Sequence, residues 1–197
     1  MAPHRYDSPA TRSDLLRAAR SHFTAVGFGA ARTEAIVADA GLTRGALYHH
    51  FENKQGLFLA VLREVHAQVA TEVNEAGQQA AGGAMGALRA GFRRHLEVVI
   101  RDDVRRILLI DGPAVIGWEA WHALDLEYGF GVTRSVLERA MKHEEIQAVP
   151  LDELTHVLLG AVTQAALELG HGNRPGVSQR RFAAVIDTVL DGLGTRQ

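Results

Sequence analysis

Apolar residues return at every third or fourth position along almost the whole of this chain, and no stretch alternates with a period of two. That spacing lays a stripe along a helix and not along a strand, so the predicted class is all-α, with about nine helices. Leu15, Leu16, Ala19, Phe23 and Val26 form the first stripe, over about 12–26, which the glycines of "GFGA" at 27–30 bring to an end. Thr33 is the expected N-cap of a short second helix that carries Ile36, Val37 and Ala40 and stops at Gly41. Thr43 is the expected cap of a third, "RGALYHHF", and Asn53 that of a long fourth, about 53–80, striped by Leu57, Phe58, Val61, Leu62, Val65 and Val69. "AGGAMG" at 81–86 is the first clear break after it. Met85, Leu88, Phe92, Leu96 and Val99 predict a fifth helix. "RDDVRRILLID" predicts a sixth that stops before Gly112 and Pro113, because proline lacks the N–H that a helix interior requires. Trp118, Trp121, Leu124 and Tyr128 predict a seventh, bent at Gly129 or Gly131. Beyond "QAVPLDE" come two strongly apolar helices, about 152–170 and 178–194, joined by the turn-rich "GHGNRPG".

A composition of 47% hydrophobic and 22% charged residues suffices for a packed core and sets aside a disordered chain. Cysteine is absent, which excludes disulfides, thiolate metal sites and cysteine nucleophiles; the expected location is the cytoplasm. The N-terminus has neither the charged head nor the apolar run of a signal peptide, and no apolar stretch reaches the length of a membrane span, so no membrane association is expected. The chain carries no GxSxG elbow, no GxxxxGKS/T phosphate loop and no HExxH pair, so no catalytic residue, cofactor or metal is expected and it does not read as an enzyme. "HEE" at 143–145 and "DD" at 102 and 103 read as charge on solvated faces. The net charge of -2 hides an asymmetry: residues 1–66 hold eight Lys or Arg against six Asp or Glu, the remainder thirteen against seventeen. The basic excess lies with the short helices.

Those short helices, two and three, are joined by "AGLT", the tight glycine turn of a helix-turn-helix, whose second helix is free to enter a major groove. Thr33 and Thr43 stand at helix starts, where a hydroxyl and exposed N–H groups either cap the helix or hold a phosphate. Arg44 can offer two donors to a guanine edge, and Gly45 admits the backbone where a side chain would intrude. Tyr48, His49 and His50 carry polar tips, and Lys54 adds charge at the start of helix four. Adjacent histidines on a helix point about 100° apart, so His49 and His50 make a poor pair of metal ligands.

Taken together, residues from about 11 to 62 resemble the DNA-binding domain of the TetR family of transcriptional regulators: "GF" at 27 and 28, Thr33, Ile36, "AGLTRGALYHHF" at 40–51, Lys54 and "LF" at 57 and 58 stand at the family's spacing. Departures are Val37, where alanine is commoner, and Ala31-Arg32, where a hydroxyl pair is common. The resemblance implies an all-helical homodimer that binds a near-palindromic double-stranded DNA operator and is released by a small molecule held in the larger C-terminal domain. It implies an N-terminal helix-turn-helix domain over 1–55 and an effector-binding and dimerisation domain over 56–197, with helix four linking them. By position it implies DNA contacts from Thr33, Thr43, Arg44, Gly45, Ala46, Tyr48, His49, His50 and Lys54. Of these, Tyr48, His50 and Lys54 would position phosphates, and Arg44, Gly45 and His49 would lie nearer to bases.

The resemblance also assigns dimerisation to the last two helices. Leu154, Val157, Leu158, Ala161, Ala165 and Leu169 form one stripe and Phe182, Val185, Ile186, Val189, Leu190 and Leu193 another, which would join in a four-helix bundle across a twofold axis or else face their own core. Phe92, His95, Trp118, Trp121, His122 and Tyr128 are the candidate lining of an aromatic-walled effector pocket, suited to an apolar or aromatic molecule more than to a highly charged one. The alternative is a helical regulator that binds DNA or a protein partner constitutively, without a ligand.

Overall fold

The computed structural model describes residues 9–172 and 175–194. It contains α1 (Pro9–Ala30), α2 (Thr33–Asp39), α3 (Arg44–Phe51), α4 (Lys54–Gln79), α5 (Gly83–Val98), α6 (Asp102–Val104), a π-helix (Arg105–Asp111), α7 (Gly112–Ile116), α8 (Trp118–Lys142), α9 (Leu151–His171) and α10 (Pro175–Leu193). With the run from Asp102 to Ile116 counted as one, that is nine helices, and no strand forms among the described residues.

The caps explain where the short helices begin. Thr43 accepts a hydrogen bond from the Ala46 N–H at the start of α3, and Asn53 accepts one from the Gly56 N–H at 2.8 Å at the start of α4. Thr33 does not cap α2: Arg32 occupies that place in extended backbone without a side-chain bond, and Thr33 is already helical. Gly27 breaks α1 at a φ of 76°, after which one more turn runs to Ala30. The Arg106 guanidinium packs directly against Gly27 and would have to move aside for a Cβ.

Gly112 and Pro113 do not end the sixth helix as expected. The chain widens into the π-helix, and Pro113 falls in the first turn of α7, where a missing N–H costs nothing. The π-helix is the hub of the packing. Its Leu108 carbonyl accepts the indole N–H of the fully buried Trp121 at 2.7 Å, and a side chain on Gly112 would run into the same indole. α8 runs without interruption through Gly129 and Gly131.

One buried cluster runs from Leu15, Phe23, Ile36, Leu47 and Phe58 through Leu96 and Leu108 to Trp121 and Leu169, so the short N-terminal helices share their core with the long ones. Phe23, Phe28 and Phe58 meet at its edge, with Phe58 edge-on to both others at 5.2 Å. A second cluster, Leu88, Phe92, Leu137, Leu158, Val162 and Leu190 among others, ties α5 and α8 to α9 and α10. Polar contacts fasten α1 to the helices beneath it. Arg20 bonds to Asp103 at 2.5 Å, the Phe28 N–H donates to the Asp111 carboxylate at 2.8 Å, and Arg106 reaches the Val26 carbonyl.

The acidic clusters expected on solvated faces are used structurally. Asp103 holds Arg20, and Glu145 accepts from the Ala84 and Met85 N–H groups at 2.9 and 2.8 Å, capping α5 from a distance. Asp111→Ala strands the Phe28 N–H and loosens Arg106, so it should destabilise the chain by about 1–3 kcal/mol. Asp111→Asn, which keeps an acceptor, should cost less; urea unfolding of the two variants checks the order.

Candidate nucleic-acid interface and ligand cavity

In α3 the helical period divides eight residues between two environments. Ala46, Leu47 and Phe51 are buried on the core side, while Arg44, Gly45, Tyr48 and His49 stand outward, Tyr48 being 45% exposed. Arg44 is hydrogen-bonded to Tyr48 and lies 3.2 Å from Glu34 on α2; both contacts favour its charged form. Glu34 is held below the usual carboxylate range by its own backbone N–H and then by the Arg44 charge. Thr33, Thr43 and His50 are half-buried or exposed, with the His49 and His50 rings in a T-shaped pair at 5.3 Å.

Two expected contacts need correction. Ala46 is 1% exposed and its N–H is taken by Thr43, because it sits on the inward face of α3; it offers a duplex nothing. Lys54 turns back instead of outward. Its ammonium donates to the Ala31 carbonyl at 2.9 Å and the Gly29 carbonyl at 3.4 Å, and lies 4.4 Å from the centre of the Phe28 ring. It therefore neutralises the carbonyl end of α1. Lys54→Met should lower the unfolding free energy of the DNA-free protein by about 1–2 kcal/mol. Unchanged stability would return Lys54 to the phosphate contacts.

The cavity forms where four helices contribute stripes of matching period: His66, Val69, Ala70 and Val73 from α4, Phe92 and His95 from α5, Asp125, Tyr128, Gly129, Val132 and Thr133 from α8, and Leu159, Val162 and Thr163 from α9. Leu108 of the π-helix completes the wall, and the free space is about 80 Å³. Phe92, His95 and Tyr128 were expected here. Trp118, Trp121 and His122 were also expected and do not belong. Trp121 is spent on the Leu108 carbonyl in the core, and Trp118, 55% exposed, stacks outside on His122 at 5.5 Å, one step round α8 from the inward face.

The residues that aromatic content did not point to are polar: His66, Asp125, Thr133 and Thr163. Their signal is that each interrupts an apolar stripe, His66 between Leu62 and Val69 most plainly. Thr163 donates to Asp125 at 2.8 Å, and His66 stacks flat on Tyr128 at 5.3 Å and 10°. The His66 Nε2 is sealed from solvent and has no hydrogen-bond partner.

Burial pulls the His66 pKa down to about 4 against the attraction of Asp125, with His95 and Arg63 adding to the depression. His95 is lowered by burial too, again opposed by Asp125. Both rings are neutral at pH 7. The unfolded chain binds a proton at His66 near 6.5 and the folded chain only near 4, so stability is full above about 6.5 and falls as pH drops between the two. The loss traceable to His66 is on the order of 3 kcal/mol. His66→Leu should flatten that part of the decline in urea midpoints between pH 7 and 5; an unaltered slope would show that the ring is not a buried neutral base.

On the last two helices the exposed apolar residues are Val157, Val185 and Val189, at 67%, 61% and 49%. Gly160, Ala161, Thr188 and Gly192 are exposed beside them. Of the residues expected at a subunit interface, Leu158, Ala165, Leu169 and Leu190 are instead buried within the chain, and Leu154, Phe182, Ile186 and Leu193 are half-buried against it. The outward stripes are thus 157, 160, 161, 164 and 185, 188, 189, 192, the same spacing on both helices. Among the described residues no helix is long and apolar enough to cross a membrane.

Residues 15–61 match the family model for bacterial regulatory proteins of the tetR family, and residues 85–193 match that for the tetracyclin repressor-like C-terminal domain. The transposon Tn10 TetC protein of Escherichia coli is 26% identical over 175 residues, 89% of this chain and 88% of that one. The transcriptional repressor AcnR of Corynebacterium diphtheriae is 30% identical over 155 residues, 77% of this chain and 76% of AcnR. A TetR-family transcriptional regulator from Pectobacterium atrosepticum superposes with a TM-score of 0.85 at 25% identity, covering 98% of this chain and 99% of the other.

Proposed function

The chain belongs to the TetR family of transcriptional regulators, a family of DNA-binding proteins and not of enzymes, and on that footing we propose that it is a cytoplasmic homodimeric repressor. It grips a near-palindromic operator with α3 and releases it when a small molecule occupies the cavity. Residues 1–55 form the DNA-reading unit and 56–197 the ligand-binding and dimerising unit. The observation that carries the DNA reading is the division of α3, whose outer face presents Arg44, Gly45, Tyr48 and His49 to solvent while its inner face is sealed. Arg44, Gly45 and His49 are placed to reach base edges, and Thr33, Thr43, Tyr48 and His50 to hold phosphates.

The dimer reading rests on the valine stripes of α9 and α10. Val157 on α9 and Val185 and Val189 on α10 are costly to leave in water, and the glycines and alanine beside them let a second pair of helices approach closely. A twofold axis there would set the two copies of α3 about one helical turn of DNA apart, roughly 34–36 Å. A constitutive, ligand-free regulator would have no use for buried histidines around an internal space, so the cavity favours a ligand-switched one.

Selection of bound sequences from random duplexes by the purified protein should return a near-palindrome with half-sites one turn apart. Tyr48→Ala should weaken binding to that sequence at least tenfold while sedimentation still shows a dimer. Loss of the dimer in that variant would make the tyrosine structural, and failure to enrich any duplex would refute the DNA-reading proposal.

A further inference from the structure

Building on the proposed ligand-switched function, we infer that the effector is a small, uncharged molecule with a ring-sized apolar body and a hydroxyl group, and that the hydroxyl seats on His66 Nε2.

The orphaned nitrogen comes first. His66 is 4% exposed, its Nε2 is shut off from solvent without a partner, and the residue lines the cavity. A buried polar atom in that condition lacks a bond that a ligand can supply. A neutral imidazole nitrogen is a donor in one tautomer and an acceptor in the other, and of the simple organic groups a hydroxyl satisfies either.

Charge narrows the class further. Among the described residues no lysine or arginine lines the cavity, and the only carboxylate, Asp125, already accepts from Thr163. A carboxylate or phosphate ligand would meet Asp125 with no cation to offset it. An ammonium ligand would have to shed its water among Val69, Phe92 and Val162, with three N–H donors to satisfy and one shared carboxylate to pair with. The stacked His66 and Tyr128 rings give the cavity a flat wall that suits a planar body.

The test uses four one-ring probes that differ only in the group they carry: phenol, toluene, benzoate and benzylamine. Binding to the full chain is measured by calorimetry, and release of the selected operator by fluorescence anisotropy. Phenol should bind at least tenfold more tightly than the other three and should be the most effective at releasing the duplex. In His66→Leu the advantage of phenol over toluene should vanish. The comparison among probes on the parent protein stands even where that variant fails to fold.

Equal binding of toluene and phenol, preference for benzoate or benzylamine, or binding of none of the four would each overturn the inference. So would an advantage for phenol that survives His66→Leu. The regulator reading is judged separately by the DNA arm: a chain that holds its operator but prefers benzylamine refutes the hydroxyl class alone, whereas one that holds no duplex refutes the function beneath it.

Discussion

The bond from the Trp121 indole to the Leu108 carbonyl fastens the π-helix to α8, and most of the architecture is organised around that junction. A π-helix spreads its turns and leaves carbonyls out of register, so a segment of this kind persists only where side chains from outside repair it. Trp121 does so on one side and Gly112 gives the indole room. On the opposite side, Asp111 accepts the Phe28 N–H and Arg106 lies against Gly27, so the same seven residues grip the end of α1. Leu108 meanwhile forms part of the cavity wall. One irregular element therefore touches both the cavity and the end of α1.

Lys54 extends the same logic into the N-terminal helices. With its ammonium on the last carbonyls of α1 and over the Phe28 ring, it ties the start of α4 to the end of α1 at the place where Asp111 holds that end from beneath. Any shift of the π-helix would thus be passed to α1 and α4 together. Packing of this density responds by switching between discrete arrangements and not by gradual deformation.

What could be read in advance follows from what is local. Thr43 and Asn53 cap helices through bonds spanning three residues, and a sequence displays such bonds directly. The outward face of α3 was legible for the same reason: it is fixed by period once the buried Leu47 and Phe51 are known. The π-helix was not legible, because a proline after an apolar run ordinarily signals a stop, and the widened turn is stabilised by Trp121 from another helix. Trp118 and Trp121 illustrate a further limit. Three residues apart, they share a broad face, yet the packing of α8 turns one into the core and the other into solvent. On α8 the cavity lining was legible only at Tyr128, because the stripe mixes Asp125, Tyr128, Gly129, Val132 and Thr133, a polarity that matches neither a core nor a surface pattern. Similarly, Leu158 and Leu190 look like interface residues until α5 and α8 are seen to cover them.

Release of DNA requires a difference in ligand affinity between two conformations, and a hundredfold release needs about 2.7 kcal/mol of it. The size of the cavity indicates where such a difference arises. At about 80 Å³ of free space it is close-fitting for a single ring, so a ring-bearing ligand would favour whichever arrangement of the walls gives it more room. Four of the walls are regular helices, stiffened by their own hydrogen bonds and by ion pairs such as Glu72 with Arg94 and Arg101. The fifth is the π-helix, which contributes Leu108. A ligand that pushed there would act on the element that holds Phe28, Gly27 and, through them, the end of α1. The differential affinity and the transmission to DNA would then have the same physical origin, the displacement of one leucine on the π-helix.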